Sequence, residues 1–332
     1  MSPLLTTIHN RFNIILLEEA ESLLTPYPAF RQPVLNAITK GGKQIRPLLY
    51  LESIYIWSGK EPTKEDYKIA AAIELLHVFY LIHDDLMDGD EIRRESPTLH
   101  CAFEDKDSST GKALALIFGD IIFSKAIELV SQHPDFQIRT SLLVLFFEVN
   151  NKTAEGQIRE CDHSFIPTTD TIIDFYTLKT AYYSIYLPLA SASIVCKKGE
   201  EHLQSLLAMS KHLGIAYQLY DDVLELIGEK KRRNTDHSGD LLRLKMTPIL
   251  TQYLSTLPNE ECNFYQLKYT HCEELTPNEE EVLRNAILNS SILQDMKTLI
   301  TNHLEESKQS LPQTSLTEST IIASLHNKYK TF

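Results

Sequence analysis

The chain has 332 residues and a formal net charge of −13, with 32 basic and 45 acidic side chains. Hydrophobic residues make up 43% and charged residues 23% of the composition, which supplies a large apolar core and excludes disorder over most of the length. Because an acidic chain repels phosphate backbones, we expect no nucleic-acid partner.

The five cysteines are scattered along the chain, and none of them form a CxxC pair. Their odd number and spacing favour a reducing compartment over a disulfide framework. The chain does not open with a basic segment followed by an apolar run, and no apolar run reaches the roughly 20 residues of a membrane span. We therefore expect a cytoplasmic protein without a membrane span.

Apolar residues recur at helical spacing along most of the chain, for example over residues 14–24, 48–54 and 142–146. Strand-like alternation is rare, and only 11 glycines interrupt the pattern. No internal repeat or linker-like segment divides the chain. We therefore predict an all-α protein whose residues 1–332 form a single domain, with a helical tail over residues 251–332.

A short polar loop, Lys40–Pro47, contains paired glycines that permit a tight turn before a predicted helix, and Pro47 suits the first position of that helix. Lys43 and Arg46 stand three residues apart at the start of that helix, where unpaired backbone N–H groups favour anions. The loop is either an anion clamp or a glycine turn with two solvated bases, and the pattern leaves both open.

Three aspartates, Asp84, Asp85 and Asp88, directly follow an apolar helical segment. Asp84 and Asp88 share one helix face, and the three carboxylates repel one another. Mg²⁺ would supply the missing positive charge, because it prefers oxygen ligands and accepts phosphate oxygens. Arg93 and Arg94 follow, and their planar forks match phosphate. The pattern predicts a metal-bound phosphate ester or diphosphate; an internal salt-bridge network is the structural alternative.

The helix before these aspartates carries His77, Phe79 and Tyr80. His77 lies two turns and Tyr80 one turn before Asp84 on the same face. A histidine on an apolar helix is commonly a core residue, and aromatic side chains there commonly pack in the core. Both interpretations stay open beside a functional one.

Lys179 and Thr180 lie on a helix that runs on to Pro188, and proline is expected to kink it near the lysine. Further along, an apolar helix carries a polar stripe at helical spacing, which consists of Gln218, Asp221, Asp222 and Glu225. A basic loop over residues 229–233 follows, and it is either a solvated loop or part of an anion site. Lys245 comes after it.

Short motifs occur in a family-like order: Gly-Gly-Lys-x-x-Arg-Pro, Asp-Asp-x-x-Asp with Arg-Arg, Pro-Thr-Leu-His, Gly-Asp, Lys-Thr and Gln-x-x-Asp-Asp. They lie at Gly41–Pro47, Asp84–Arg94, Pro97–His100, Gly119–Asp120, Lys179–Thr180 and Gln218–Asp222. Together they resemble the trans-isoprenyl diphosphate synthases, which include the farnesyl and geranylgeranyl diphosphate synthases. The match covers about residues 10–250. It implies a single large helical bundle around a deep central cavity, the isoprenoid synthase fold, and usually a homodimer.

The resemblance also implies a role for each polar group. About three Mg²⁺ ions would bind an allylic diphosphate, held by Asp84, Asp85, Asp88, Asp221, Asp222 and Glu225. The residues implied to bind that diphosphate are Arg93, Lys179, Thr180, Gln218 and Lys245. Those implied to bind isopentenyl diphosphate are Lys43, Arg46, His77 and Arg94. The implied catalytic set is Asp84, Asp88, Arg93, Lys179, Asp221 and Lys245.

The implied reaction is a 1′-4 head-to-tail condensation. Metal and cationic groups would stabilise the departing diphosphate, and the double bond of isopentenyl diphosphate would attack the allylic cation. Released diphosphate would accept the final proton. Phe79 and Tyr80 would form the floor of the chain-length cavity, because one helical turn of about 5.4 Å is close to one isoprene unit. We predict farnesyl diphosphate as the product, with geranylgeranyl diphosphate second.

Three positions depart from the family pattern. Glu225 stands where the family usually has Asp, and Glu95 stands where it usually has Gly after Arg-Arg. Thr235 stands where a diphosphate-binding lysine is expected, with Arg232 or Arg233 as a substitute. Glu225 and Thr235 motivate an alternative in which the chain is a catalytically weak regulatory subunit of a prenyl synthase. A class I terpene cyclase is another alternative, but it does not need the implied isopentenyl diphosphate clamp.

Overall fold

The computed structural model describes residues 3–40, 42–93, 95–103, 108–228 and 239–330. Helices account for nearly all regular structure in this part of the chain, which confirms the all-α prediction. The α-helices are α1 (Pro3–Leu24), α2 (Arg31–Thr39), α3 (Ile45–Ser58), α4 (Lys64–Asp88), α5 (Leu99–Ala102), α6 (Ser108–Ser131), α7 (Phe136–Glu160), α8 (Thr169–Tyr176), α9 (Leu187–Val195), α10 (Glu200–Ile227), α11 (Pro248–Thr256), α12 (Asn259–Thr270), α13 (Pro277–Leu288), α14 (Ile292–Thr314) and α15 (Thr320–Lys330).

Four short elements complete the description of these residues. A 3₁₀ turn spans Pro28–Phe30, and a π-helical segment spans Thr177–Tyr186. Strands β1 (Ile92–Arg93) and β2 (Ser96–Pro97) pair antiparallel. No described helix is long and apolar enough to cross a membrane.

The chain forms two compact units, and each is described by itself. The first comprises the described residues of Met1–Glu148, Leu187–Leu203 and Ser315–Ile322. The second comprises those of Val149–Tyr186, Gln204–Thr314 and Ala323–Phe332. The single domain over residues 1–332 stays a prediction.

Helix α4 is the central element of the first unit and packs most extensively against α6. Its start is fixed by a capping box: the Thr63 hydroxyl accepts from the Asp66 N–H, and the Asp66 carboxylate accepts from the Thr63 N–H. Its apolar part, residues 67–78, is almost entirely buried. Gly89, at a φ of 68°, ends the helix in the left-handed conformation that glycine adopts without strain. The predicted acidic cluster therefore occupies the last turns of α4.

A buried carboxylate on α3 joins distant parts of the first unit. Glu52 accepts hydrogen bonds from the N–H groups of Thr320 and Ile321 at 2.9 and 3.2 Å, and from the hydroxyls of Ser319 and Thr320 at 2.5 and 2.6 Å. The amides belong to the first turn of α15, whose unpaired N–H groups and dipole favour an anion. Glu52 thus supplies the N-terminal cap of the last helix.

In place of the simple kink expected near Lys179, the structure has a longer irregular segment. The helix departs from α geometry over the ten residues Thr177–Tyr186, which are π-helical and include Lys179. Pro188 follows at the second position of α9 and lacks the N–H that would bond one turn back. Such π-helical turns are rare and occur often at functional sites.

A histidine pair lies between α10 and α14 in the second unit. The Nδ1 atoms of His212 and His303 are 3.0 Å apart, so one ring donates to the other. Burial, followed by the neighbouring His212, lowers the pKa of His303 to about 4. Burial also lowers the pKa of His212. The pair is therefore neutral at physiological pH.

We predict that this pair makes stability fall on acidification. Between the unfolded pKa of about 6.5 and the folded pKa of about 4, the unfolded chain binds a proton that native His303 does not. The free energy of unfolding should drop across that window, and His303→Gln should remove roughly 1–3 kcal/mol of the drop. Urea unfolding at about pH 7 and about pH 4.5 measures it.

Substitution of the exposed His271 by Gln is the matched control and should leave the wild-type pH dependence unchanged. An unchanged pH dependence in His303→Gln would contradict the prediction.

Candidate active site

The first candidate cluster lies where α4 ends. Asp84 and Asp88 are partly exposed, whereas Asp85 is buried. The C-terminal end of a helix disfavours negative charge, so these carboxylates need cationic partners. Nε and one terminal nitrogen of Arg93 each lie 2.5 Å from Oδ1 of Asp85, and Arg93 is also 3.8 Å from Asp90.

This ion pair gives Asp85 a different environment from that of Asp84 and Asp88. Burial raises the pKa of Asp85 to about 6, although the Arg93 guanidinium opposes the rise. The internal salt bridge that the sequence offered as an alternative is thus present for Asp85. Arg93, implied as a diphosphate ligand, is positioned by that carboxylate.

Two residues predicted to bind isopentenyl diphosphate meet in the first unit. Nη1 of Arg46, in the first turn of α3, lies 3.2 Å from Nε2 of His77 on α4. Lys43 is exposed on the loop before α3. Helix α3 begins at Ile45, so Pro47 takes its third position and not its first. The remaining positions singled out in the loops, namely Gly41, Arg94, residues 229–233 and Thr235, lie outside the described residues.

The predicted chain-length residues belong to an aromatic cluster. The ring centroid of Phe79 lies 5.2 Å from that of Tyr80, 4.4 Å from that of His83 and 5.1 Å from that of Phe123 on α6. Phe79 and Tyr80 are both partly exposed. Tilted contacts with these neighbouring rings restrict the Phe79 ring, as a rigid floor would require. Their role in chain length stays a prediction.

A chain of hydrogen bonds links the predicted polar residues of the second unit. The Thr180 hydroxyl donates to Oε1 of Gln218 at 3.0 Å, and Nε2 of Gln218 donates to Oδ1 of Asp222 at 3.1 Å. The other oxygen of Asp222 accepts from the Tyr176 hydroxyl at 2.6 Å. Burial raises the pKa of Asp222 to about 7 against the lowering effect of these hydrogen bonds. Asp221, its neighbour, is partly exposed.

Glu225, which departs from the family pattern, contacts the segment that begins at Gly239. Its Oε1 accepts from the backbone N–H of Asp240 at 2.6 Å. The Asp240 carboxylate lies 3.7 Å from Nζ of Lys245. Asp222, Glu225, Asp240 and Lys245 line one small cavity. The longer arm of Glu therefore reaches the backbone of the opposite segment.

Glu160, the last residue of α7, connects two predicted lysines. Its carboxylate forms an ion pair with Nζ of Lys179 and lies 3.3 Å from Nζ of Lys245. Burial by itself would raise the pKa of Glu160, but the two ammonium groups outweigh it and lower the pKa to about 2. Glu160 thus stays ionised and brings both cations to one point.

Sequence reasoning missed Glu160 and Tyr176. Glu160 is an acidic residue near a helix end, and such residues are usually solvated. Tyr176 precedes the lysine by three positions and resembles the other aromatic residues around it. Only tertiary packing shows which of these side chains meets Lys179 or Asp222.

The carboxylates do not form a complete metal site by themselves. Within residues 3–40, 42–93, 95–103, 108–228 and 239–330, no three His, Cys, Asp or Glu side chains are grouped to hold a metal ion. Mg²⁺ needs less from a protein, because it usually takes one or two carboxylates and completes its shell with water and phosphate oxygens. Asp84 and Asp88 in the first unit offer oxygen donors of this kind, and Asp221 in the second unit offers its own.

We predict that Glu160→Gln destabilises the second unit. The substitution leaves two neighbouring ammonium groups without their shared anion, so the free energy of unfolding should fall by about 1–3 kcal/mol. Glu155→Gln, on the same helix with exposed partners Lys152 and Arg159, should leave it nearly unchanged, because solvent screens surface ion pairs. Urea unfolding at neutral pH gives both values. Equal effects of the two substitutions would show that the Glu160 ion pairs contribute no more than surface pairs.

Comparisons with known proteins show the family to which the chain belongs. The family model described as "Polyprenyl synthetase" matches residues 27–285. A short chain isoprenyl diphosphate synthase of Methanocaldococcus jannaschii is 29% identical over 255 residues, covering 75% of each chain. The farnesyl diphosphate synthase of Bacillus subtilis is 28% identical over 248 residues, covering 70% of this chain and 78% of its own.

A solved structure shows the same fold. The geranylgeranyl pyrophosphate synthase of Corynebacterium glutamicum, complexed with isoprenyl diphosphate and magnesium, superposes with a TM-score of 0.80 at 19% identity. The alignment covers 96% of this chain and 97% of that one. The all-α architecture is thus the isoprenoid synthase fold. Since the family model matches well over half of its length, the chain belongs to the polyprenyl synthetase family, the prenyltransferases known as trans-isoprenyl diphosphate synthases.

Proposed function

We propose that this chain is a Mg²⁺-dependent short-chain prenyltransferase. It condenses an allylic diphosphate with isopentenyl diphosphate head to tail, forming a 1′-4 bond, and it makes chiefly farnesyl diphosphate, with geranylgeranyl diphosphate second. The observation that carries the proposal is the convergence of Lys179 and Lys245 on Glu160. Two cations held at one point, beside the Thr180–Gln218–Asp222 chain, suit a diphosphate group.

The second unit binds the allylic diphosphate in this proposal. Lys179 and Lys245 attract its oxygens, and Thr180 and Gln218 supply hydrogen bonds. These groups are fixed before the substrate arrives, so they stabilise the charge that develops on the leaving group with little reorganisation. Glu160 keeps the lysines from adopting other rotamers while the substrate is absent.

The first unit binds isopentenyl diphosphate through Arg46 and His77, which already lie together. Lys43 and Arg94 are proposed to complete this clamp. It orients the double bond for attack on the allylic carbon, and the released diphosphate accepts the proton that leaves the product. Apolar walls exclude water from the cation.

The proposed metal ligands are Asp84, Asp85, Asp88, Asp221, Asp222 and Glu225. About three Mg²⁺ ions, when bound, would act as Lewis acids that stabilise negative charge on the departing diphosphate. Asp85 serves mainly to position Arg93, because the two already form a buried ion pair. Arg93 then presents its remaining donors to the diphosphate.

The chain is also proposed to act as a homodimer in the cytoplasm. Helices α6 and α7 carry exposed apolar side chains within the first unit, between 47% and 69% exposed, which are Leu116, Ile117, Phe136, Val144 and Phe147. Large apolar side chains exposed in this number favour association, and symmetric dimers are the commonest oligomers. All five cysteines are free, as expected for a reducing compartment.

A condensation assay tests the proposed function. Purified protein with labelled isopentenyl diphosphate, Mg²⁺ and dimethylallyl, geranyl or farnesyl diphosphate should form a longer prenyl diphosphate, and a chelator should abolish it. A cyclic hydrocarbon from the allylic diphosphate alone would indicate a terpene cyclase. No product with any primer would indicate a regulatory subunit. Light scattering on the same preparation should give the mass of a dimer.

We predict that Tyr80→Ala and Phe79→Ala shift the product toward geranylgeranyl diphosphate and longer chains. Removing either ring deepens the cavity by about one helical turn, close to one isoprene unit. Chromatography of dephosphorylated products measures the distribution. Phe264→Ala removes an exposed aromatic side chain on α12 and should leave it unchanged. A wild-type product distribution in both variants would contradict the proposed role of Phe79 and Tyr80 in limiting chain length.

A further inference from the structure

The π-helical segment that carries Lys179 and Thr180 passes close to a glycine on α7. A Cβ atom placed on Gly156 would lie 2.6 Å from the backbone nitrogen of Lys179 and 3.0 Å from Cβ of Leu178. Real Cβ atoms do not approach backbone atoms this closely. Only glycine therefore permits α7 and the segment to keep their present separation.

A second glycine, on α10, approaches the same segment. A Cβ atom on Gly214 would lie 2.5 Å from Cα of Ala181 and would also overlap its side chain. The atoms that block it belong to the backbone or to the adjoining methyl group, so no flexible side chain can move aside. Both helices thus rest directly on the backbone of residues 178–181.

These two glycines lie within helices, where glycine is unfavourable. Glycine in a helix interior costs roughly 0.5–1 kcal/mol relative to alanine. Alanine at either position would stabilise an isolated helix. The close approach of the π-helical segment explains why glycine occupies both positions. The residues between the two contacts are Lys179 and Thr180, whose side chains reach Glu160 and Gln218.

We propose that Gly156 and Gly214 are positioning residues for the allylic diphosphate site. They set how near the π-helical backbone lies to α7 and α10, and so they set the position of the Lys179 ammonium and the Thr180 hydroxyl. This inference rests on the proposed function, since it takes Lys179 and Thr180 as diphosphate ligands. A methyl group at either glycine displaces the segment while leaving every ligand side chain in the sequence.

The experiment measures diphosphate binding independently of turnover. Titration calorimetry with inorganic diphosphate and Mg²⁺ should show Gly156→Ala and Gly214→Ala binding about tenfold more weakly, because a shift near 1 Å is enough to lose such interactions. In steady-state assays the KM for geranyl diphosphate should rise about tenfold, and that for isopentenyl diphosphate by less than about twofold.

A merely structural role is separated by a double-substitution cycle. In a Lys179→Ala background, adding Gly156→Ala should weaken diphosphate binding by less than about threefold, because the group being positioned is gone. A general loosening of the fold would instead weaken diphosphate binding by the same factor in the wild-type and Lys179→Ala backgrounds. Ala154→Gly on α7 and Ala208→Gly on α10 alter helix propensity at exposed positions and should leave diphosphate binding unchanged.

Ala181→Gly tests the inference even if the alanine variants do not fold. It loosens the Gly214 contact from the other side without adding an atom, and it should weaken diphosphate binding by about two- to threefold. Wild-type affinity in this variant and in the folded alanine variants would overturn the inference. Wild-type protein that binds diphosphate but forms no prenyl product would overturn the proposed function alone, because the calorimetric comparison would still decide the glycines.

Discussion

The ionised Glu160 carboxylate between Lys179 and Lys245 is the interaction on which the candidate site depends. Two ammonium groups repel each other unless an anion lies between them. A carboxylate with a pKa of about 2 supplies that anion at every physiological pH. In the proposed function, the same two ammonium groups attract the diphosphate of a substrate. Charge balance in the resting protein and affinity for an anionic ligand would then have one origin.

The first unit uses a different solution to the same problem. Asp85 is buried and takes Arg93 as its partner, while Asp84 and Asp88 remain partly exposed on the helix end. In the sequence the three carboxylates look equivalent. In the structure Asp85 pairs with an arginine, whereas Asp84 and Asp88 suit a hydrated ion. Burial accounts for this difference. A buried carboxylate requires a fixed cationic side chain, whereas a partly exposed carboxylate can pair with an exchangeable ion from solution.

Much of this could be predicted from the sequence, because periodicity and motif order report local structure. The helical spacing predicted α4 and α10, and the motif order indicated the family. That Lys179 and Lys245 bind an anion stays a prediction. Glu160 was missed, since its two partners are distant in sequence and a terminal Glu looks solvated. The π-helical segment was anticipated only as a kink at Pro188, because proline reports a lost hydrogen bond and not the geometry that replaces it. Tyr176 gave no signal beyond that of its aromatic neighbours.

The cap that Glu52 provides to α15 joins residues that are made at very different times during synthesis. The carboxylate and the Ser319 hydroxyl are separated by 267 positions, so Glu52 leaves the ribosome long before the groups that donate to it. At about 5–20 residues per second, that interval exceeds about ten seconds. Until residues 319–321 have emerged, the nascent first unit contains a carboxylate without its native donors.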